Sequence, residues 1–505
     1  MGTAMTARVA VVGGGLAGIT AALRCADAGY AVRLYESRPW LGGLTHSFPR
    51  GDLWIDNGQH VFLRCCDRYL ALLDRLGMRD AVHLQPRLDI PVSGGGRAGR
   101  LRRLPLPAPL HLSWALLRYP WLSQGARVRF VRAALALRAV DPADPRTDTT
   151  SFGDWLRAHG QDRDAVDSLW DLVGIATLNA RADDVSLALA ATVFRIGLLT
   201  DADAADTGWS RIPLRQLHGE AALTALTAAG VTVVHERVTA VRRVANGWAV
   251  CTRDGDCAAD AVVSAVPPAA AQALLPADAV DLPANWAVGL GSSPIVNIHV
   301  VYDRPVMNEP LRAGVGSVVQ WVFDRTEASG LRAAAGRRRS DVTDGPQDSS
   351  APVAAAAPST SVAPARFPTG AQYLAVSVSA ADAFVDRPVA ELRREFLPAL
   401  EQLLPAARTA QVVDFFVTRE RHATFRPAPG SARLRPPAAT ALPGLALAGA
   451  WTDTGWPATM EGAVRSGESA AAEIISHPSG LRPRAGAAER TGMPEPRTRI
   501  SEVIR

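Results

Sequence analysis

The sequence predicts an α/β protein: a parallel sheet assembled from separated stretches of chain, with an α+β domain inserted between them. Three observations predict it. "RVAVVGGG" at 8–15 is a short apolar run ending in glycines, as a buried parallel strand and tight turn require. "LAGITAALRCADAGY" follows with helical spacing, and "AVRLYE" at 31–36 reads as the next strand. More than 400 residues later, "LALAGAWTDTGWPATMEGAVRSG" at 445–467 repeats the strand–glycine–helix junction. The sheet therefore opens at one end of the chain and closes near the other.

Gly13, Gly15 and Gly18 form G-x-G-x-x-G between strand and helix. Gly13 permits the turn, Gly15 admits a pyrophosphate to the backbone, and Gly18 lets helix and strand pack closely. Leu16 and Ala17 open the helix, whose unpaired N–H groups and positive dipole end favour phosphate. Glu36 ends the second strand, where a carboxylate accepts both ribose hydroxyls and disfavours a 2′-phosphate. The site is thus expected to take an adenine dinucleotide without that phosphate. "SGGGRAGRL" also fits the glycine pattern through Gly94, Gly96 and Gly99, but Arg-rich residues follow it, so it is read as a hairpin turn. A separate NAD(P)H domain is not expected.

Between the ends, "HGEAALTALTAAGVTVVHERVTA" at 218–240 reads as helix, stop and strand, and "DAVVSAVPP" at 260–268 as a buried strand closed by prolines. These returns assign 6–85, 216–289 and 440–476 to a discontinuous, Rossmann-like cofactor domain. Residues 86–215 and 290–439 are assigned to the substrate domain, with "SPIVNIHVVYD" and "QYLAVSVSA" as strands. Residues 326–369 and 477–505 lack periodicity and are expected to be a disordered insertion and a disordered tail. In the late junction, a strand is expected to end at Ala448 and a helix to begin at Pro457, a residue suited to a first helical turn.

Composition narrows the chemistry. All 54 basic residues are Arg, so mechanisms needing a lysine Schiff base or lysine general base are excluded. The net charge of +5 is scattered, without a basic stripe interleaved with aromatics, so nucleic acid is not an expected partner. The five Cys show no metal-ligand spacing and are expected as reduced thiols of a cytoplasmic protein. No metal site, signal peptide or apolar run long enough to span a bilayer is expected. Residues 101–138 combine apolar turns, Arg, two Trp and a Tyr, which suits either an interfacial membrane segment with peripheral contact or ordinary substrate-domain helices.

After Glu36, "SRPWLGG" gives E-x-R-x-x-x-G-G through Arg38, Gly42 and Gly43. This resembles the extended FAD fingerprint of the flavin amine oxidase and phytoene desaturase superfamily. "WIDNGQHVFLRCCDRYLALLDRLG" at 54–77 and "AGAWTDTGWPATMEGAVRSG" at 448–467 resemble hydroxysqualene dehydroxylases, and "LWDLVGIATLNA" at 169–180 is consistent with them. The resemblance implies FAD held by the glycine loops with Ser37 and Leu44, by Gly58, Gln59 and His60, by Val238 backing the adenine, and by Gly449, Thr452, Asp453, Ala458, Thr459 and Met460. Ala450 stands where the superfamily usually has an Asp that bonds the ribityl chain, so either a lower cofactor affinity or substitution by Thr452 or Asp453 is expected.

The implied activity is FADH2-dependent reduction of hydroxysqualene to squalene with loss of water, in squalene or hopanoid biosynthesis, with an unidentified donor reducing the flavin. A proton must reach the leaving oxygen. His60, Asp56 and Asp453 are the catalytic candidates, with Glu461 also near the expected flavin, and His60 is expected to suit pH 7 best. A carotenoid-type desaturase or another isoprenoid oxidoreductase is the alternative, and a non-catalytic prenyl-lipid carrier the remote one.

Overall fold

Val and Ala alternate between two covered faces in Arg8–Val12, which places that strand at the centre of a five-stranded sheet. The computed structural model describes residues 6–331 and 367–476. Across the sheet run Thr232–Val234, Ala31–Tyr35, Arg8–Val12, Ala261–Ser264 and Leu445–Leu447, all parallel. Numbered along the chain this is order 3-2-1-4-5, the Rossmann arrangement, whose crevice opens at the carboxyl ends on either side of Arg8–Val12. An antiparallel meander, Val238–Val244, Gly247–Thr252 and Gly255–Ala259, crosses from the third strand to the fourth.

Helices Leu16–Asp27 and Met460–Ser476, from opposite ends of the chain, pack together on one face. Small residues set their separation: a Cβ on Gly467 would lie 2.2 Å from the Ala17 carbonyl oxygen. The late helix begins at Met460, not at Pro457 as the sequence suggests. Thr459 supplies the cap instead, its hydroxyl accepting from Gly462 N at 3.0 Å, while the Pro457 carbonyl closes a turn ahead of it.

A second sheet has seven strands: Val412–Thr424, Ser293–Tyr302, Gln372–Val378, Trp321–Asp324, Leu311–Gly314, Asp89–Gly94 and Arg97–Arg102. Its pairings are antiparallel except between Leu311–Gly314 and Asp89–Gly94. "SGGGRAGRL" forms the last hairpin, with Gly95 and Gly96 at φ +56° and +72°, the left-handed pair a two-residue type I′ turn needs. Helices between Leu110 and Thr200 cover this sheet's flank and join it to the first.

Residues 326–331, expected to open a structureless insertion, instead pack tightly. Thr326, Ser329 and Leu331 are buried, and the Ser329 carbonyl accepts from Trp54 N at 3.0 Å. The remainder of the expected insertion through 366, and the expected tail 477–505, lie outside the described residues. Among the described residues no helix is long and apolar enough to cross a membrane, no His/Cys/Asp/Glu cluster has metal-binding geometry, and the five Cys are free thiols.

Candidate cofactor and active site

Two glycine loops meet at the mouth of the parallel sheet. Gly13, at φ +109°, turns the chain so closely beneath the fourth strand that a Cβ would sit 2.6 Å from the Ala265 carbonyl oxygen. A Cβ on Gly18 would lie 1.9 Å from the Gly13 carbonyl oxygen, so only Gly lets this helix settle on its strand. Gly15 differs: the nearest atom to its added Cβ would be Gly43 Cα at 3.8 Å. Gly42 N donates to Gly14 O at 2.8 Å, and a Cβ on Gly43 would come within 2.9 Å of Gly15 Cα. The loops abut backbone to backbone and leave a shallow trough over Gly15. No side chain caps helix Leu16–Asp27, so the first-turn N–H groups of Leu16 and Ala17 face that trough.

Glu36 is buried and organises the rim. Its carboxylate accepts from Gly14 N at 2.8 Å, Arg38 N at 2.8 Å and Ser37 Oγ at 3.2 Å, and keeps lone-pair capacity for a ribose hydroxyl. Val238 is buried beside Val12 and Tyr35, backing the same rim. Ser264, at the carboxyl end of the fourth strand, has a buried hydroxyl with no protein partner.

The "DNGQH" run joins the two sheets. Asp56 is buried: one carboxylate oxygen accepts from Ser47 Oγ at 2.7 Å and Leu214 N at 3.1 Å, the other from Arg325 at 2.6 Å. Asn57 donates to Leu44 O at 2.8 Å and Glu420 at 3.2 Å, and its carbonyl accepts from Asn297 Nδ2 at 3.1 Å. Gly58 faces His60 and Asn297: a Cβ there would lie 3.4 Å from His60 Nε2. Gln59 Nε2 and Asn297 Oδ1 are buried without protein partners.

His60 is half-buried as a residue while its imidazole is enclosed. Desolvation pushes its pKa down to about 4, outweighing the opposite pull of Asp56. His218 stands behind it, buried, with Nε2 at 2.8 Å from Tyr69 Oη and its pKa pushed down to about 3, again by desolvation first. Both imidazoles are neutral at pH 7. That runs against the expectation that His60 is the ready acid there.

The late loop is held from below. Gly449 N donates to Ser466 Oγ at 2.8 Å, and Thr452 is buried with its hydroxyl donating to Gly449 O at 3.0 Å. Asp453 is exposed and its carboxylate accepts from Gly455 N at 3.3 Å. Both side chains bond within the loop's own turns. Trp451 stacks on Trp286 at 5.2 Å and donates to Val266 O at 3.0 Å. Ala458, Thr459 and Met460 lead into the helix, half-buried.

Arg435 was not legible as a site residue. Its buried guanidinium donates to the carbonyls of Trp451 (3.2 Å), Thr452 (2.6 Å) and Trp456 (2.7 Å), and packs 4.7 Å from the centre of the Phe425 ring. Burial lowers its pKa to about 10, so it stays cationic at pH 7. Glu461 accepts from Tyr69 N at 2.8 Å and Arg465 Nε at 2.7 Å, at the start of helix Asp67–Arg75, and burial raises its pKa to about 7.

Residues 16–475 match the family described as flavin containing amine oxidoreductase. The chain belongs to that family. It is 28% identical over 494 residues to a hydroxysqualene dehydroxylase of Rhodopseudomonas palustris, covering 94% of this chain and 99% of that one. It is 27% identical over 497 residues to a probable zeta-carotene desaturase of Synechococcus elongatus, covering 93% and 98%. A cyclohexylamine oxidase from Brevibacterium oxydans superimposes with a TM-score of 0.66 at 18% identity, covering 94% and 99%, which speaks for the fold.

This amine oxidoreductase family member is an FAD-dependent oxidoreductase, and its residues fit the cofactor. The trough over Gly15, the uncapped helix start and Glu36 suit the pyrophosphate and ribose. The orphaned polar atoms of Ser264, Gln59 and Asn297 mark positions where a polar ligand would satisfy buried groups.

Proposed function

We propose that the protein reductively removes the hydroxyl group of hydroxysqualene, giving squalene and water. One observation carries this reading: the near end-to-end match to a hydroxysqualene dehydroxylase. Bound FAD, when reduced, supplies the hydride. The leaving oxygen takes a proton and departs as water, and the allylic carbon that loses it accepts the hydride, so atoms and electrons balance.

The chain's residues bind, orient and exclude water. His60 is neutral at pH 7, which suits a hydrogen bond to the hydroxyl better than bulk protonation. Gln59 Nε2 supplies a second donor and Asn297 Oδ1 an acceptor. Asp56 acts through this group, its carboxylate fixing the loop against Arg325. Asp453 orients the late loop. The substrate carries little charge, so pocket shape rather than ion pairing recognises it.

The end-to-end match to a zeta-carotene desaturase supports a second reading, in which the flavin accepts hydride from a polyene. Anaerobic chemistry separates the two. The chemically reduced protein, mixed with hydroxysqualene, is expected to reoxidise with squalene appearing by mass spectrometry. A flavin that stays reduced with hydroxysqualene, yet is bleached from its oxidised state by a polyene, overturns the dehydroxylase reading in favour of the desaturase.

A further inference from the structure

Residues 101–138 contain seven Arg and not one Asp or Glu. The structure turns much of their apolar surface outward. Leu110, Trp114 and Leu117 on one segment, and Val128, Val131 and Leu135 on helix Gln124–Arg138, are each 43–58% exposed. Thirteen large apolar side chains are exposed among the described residues, and with Leu106 seven of them fall in this one stretch. Helix Gln124–Arg138 is apolar on two faces. Ala126, Ala133, Ala134 and Leu137 face the core, while Val128, Val131 and Leu135 recur at helical spacing on the outside. A helix wetted on its outer face has no use for that second stripe.

The two segments form one platform. Arg127 donates to Tyr119 O at 3.0 Å, and Tyr119, Leu122 and Ala126 share a buried cluster with Leu112, Leu116 and Phe130 packed against it. Within residues 101–138 themselves the charge has one sign. Arg103 and Arg129 are paired with Asp206 and Asp162, but Arg118, Arg132 and Arg138 form no ion pair among the described residues. Arg118 lies over the Trp114 ring at 4.2 Å, joining a cation to an aromatic that favours the bilayer interface. Exposed Leu, Val and Trp ringed by unpaired Arg is the chemistry of a surface that inserts shallowly and binds anionic headgroups. No described helix is long and apolar enough to cross a bilayer, so the contact is flat.

We propose that residues 101–138 are a docking surface for an anionic lipid bilayer, with helix Gln124–Arg138 lying along it. The inner face of that helix shares a buried cluster with Leu447 and Trp451.

Vesicle co-sedimentation of the full flavoprotein, without substrate, tests it. Phosphatidylcholine vesicles containing phosphatidylglycerol are expected to pull the protein down, and phosphatidylcholine alone far less. Trp114→Ser with Leu117→Ser, and separately Arg132→Gln with Arg138→Gln, are each expected to weaken binding about tenfold or more. Both pairs are exposed, and unchanged thermal unfolding confirms that the variants fold. No sedimentation with either vesicle overturns the proposal, as does equal sedimentation of all variants. A dimer in solution that the Trp114/Leu117 variant dissolves overturns it in favour of a self-association face.

Discussion

Gly15 and Gly18 lie three residues apart in the same glycine loop, yet an added methyl group meets opposite surroundings. At Gly18 it meets a carbonyl oxygen at 1.9 Å; at Gly15 it meets nothing closer than 3.8 Å, and the backbone there has an ordinary φ of −76°. Gly18→Ala is therefore expected to push the first helix off its strand, lowering apoprotein stability by about 2 kcal/mol or more. Gly15→Ala is expected to leave apoprotein unfolding within about 0.5 kcal/mol of wild type while weakening flavin retention, since its methyl occupies the trough. Thermal unfolding of the flavin-stripped proteins and flavin titration read the two effects separately. Equal destabilisation by both variants would deny the trough a ligand-binding role.

At the scale of elements, the structure is held by joints between distant segments. Asp56 and Arg325 are 269 residues apart and both buried, and their contact ties the Ser47–Asp56 hairpin to the end of Trp321–Asp324, the middle strand of the second sheet. Arg325→Met leaves Asp56 without its cation and is expected to cost about 3–5 kcal/mol. Adding Asp56→Asn to that variant should recover part of the loss, because the remaining side chain no longer carries an unpaired charge. Denaturant unfolding of the four proteins of this cycle measures the coupling, and strict additivity would deny it. The start of the late helix gives a smaller number. Thr459→Ala removes the hydroxyl that accepts from Gly462 N and is expected to cost about 1 kcal/mol, whereas Pro457→Ala, outside the helix, should be close to neutral. Reversal of that order in thermal unfolding would return the helix start to Pro457.

These joints mark what the sequence could and could not show. The strand–glycine–helix units were legible because their signals are local: a glycine spacing, an apolar run, an acidic residue at a strand end. The start at Met460 was missed because Pro457 is a strong local signal and Thr459 is followed by Gly462, not by the Glu or Gln of a capping box. Arg435, Asn297 and Asn179 were invisible as structural keys because their partners are brought in by the fold. Asn179 ends its helix at φ +55° and donates to Ser293 O and Thr424 Oγ1, both more than 100 residues away. Arg435 looks like any of the 54 arginines until the late loop's carbonyls converge on it.

At the scale of the whole molecule, buried titratable groups set opposing pH dependences. His60, His218 and His299 have folded pKa values pushed by burial to about 4, 3 and 3 from an ordinary 6.5. The unfolded chain takes up protons on them first, so their stability is intact above pH 6.5 and is lost as pH falls toward 3. Glu461 goes the other way. Burial raises it from 4.5 to about 7, so its contribution is intact below pH 4.5 and lost as pH rises to 7. Asp171, raised to about 6 by burial, adds to the same trend. The two effects cancel in part between pH 4.5 and 6.5, so the wild-type profile alone is ambiguous. Glu461→Gln resolves it, because Gln cannot ionise and still offers a carbonyl oxygen to Tyr69 N. The variant's stability relative to wild type is expected to rise steadily from pH 4.5 to 7 and then level off, by an amount on the order of 3 kcal/mol at most. Urea unfolding at a series of pH values reads this difference directly. A difference flat across that range would mean that Glu461 is ionised in the fold throughout, held by Arg465 and the Tyr69 amide in spite of its burial.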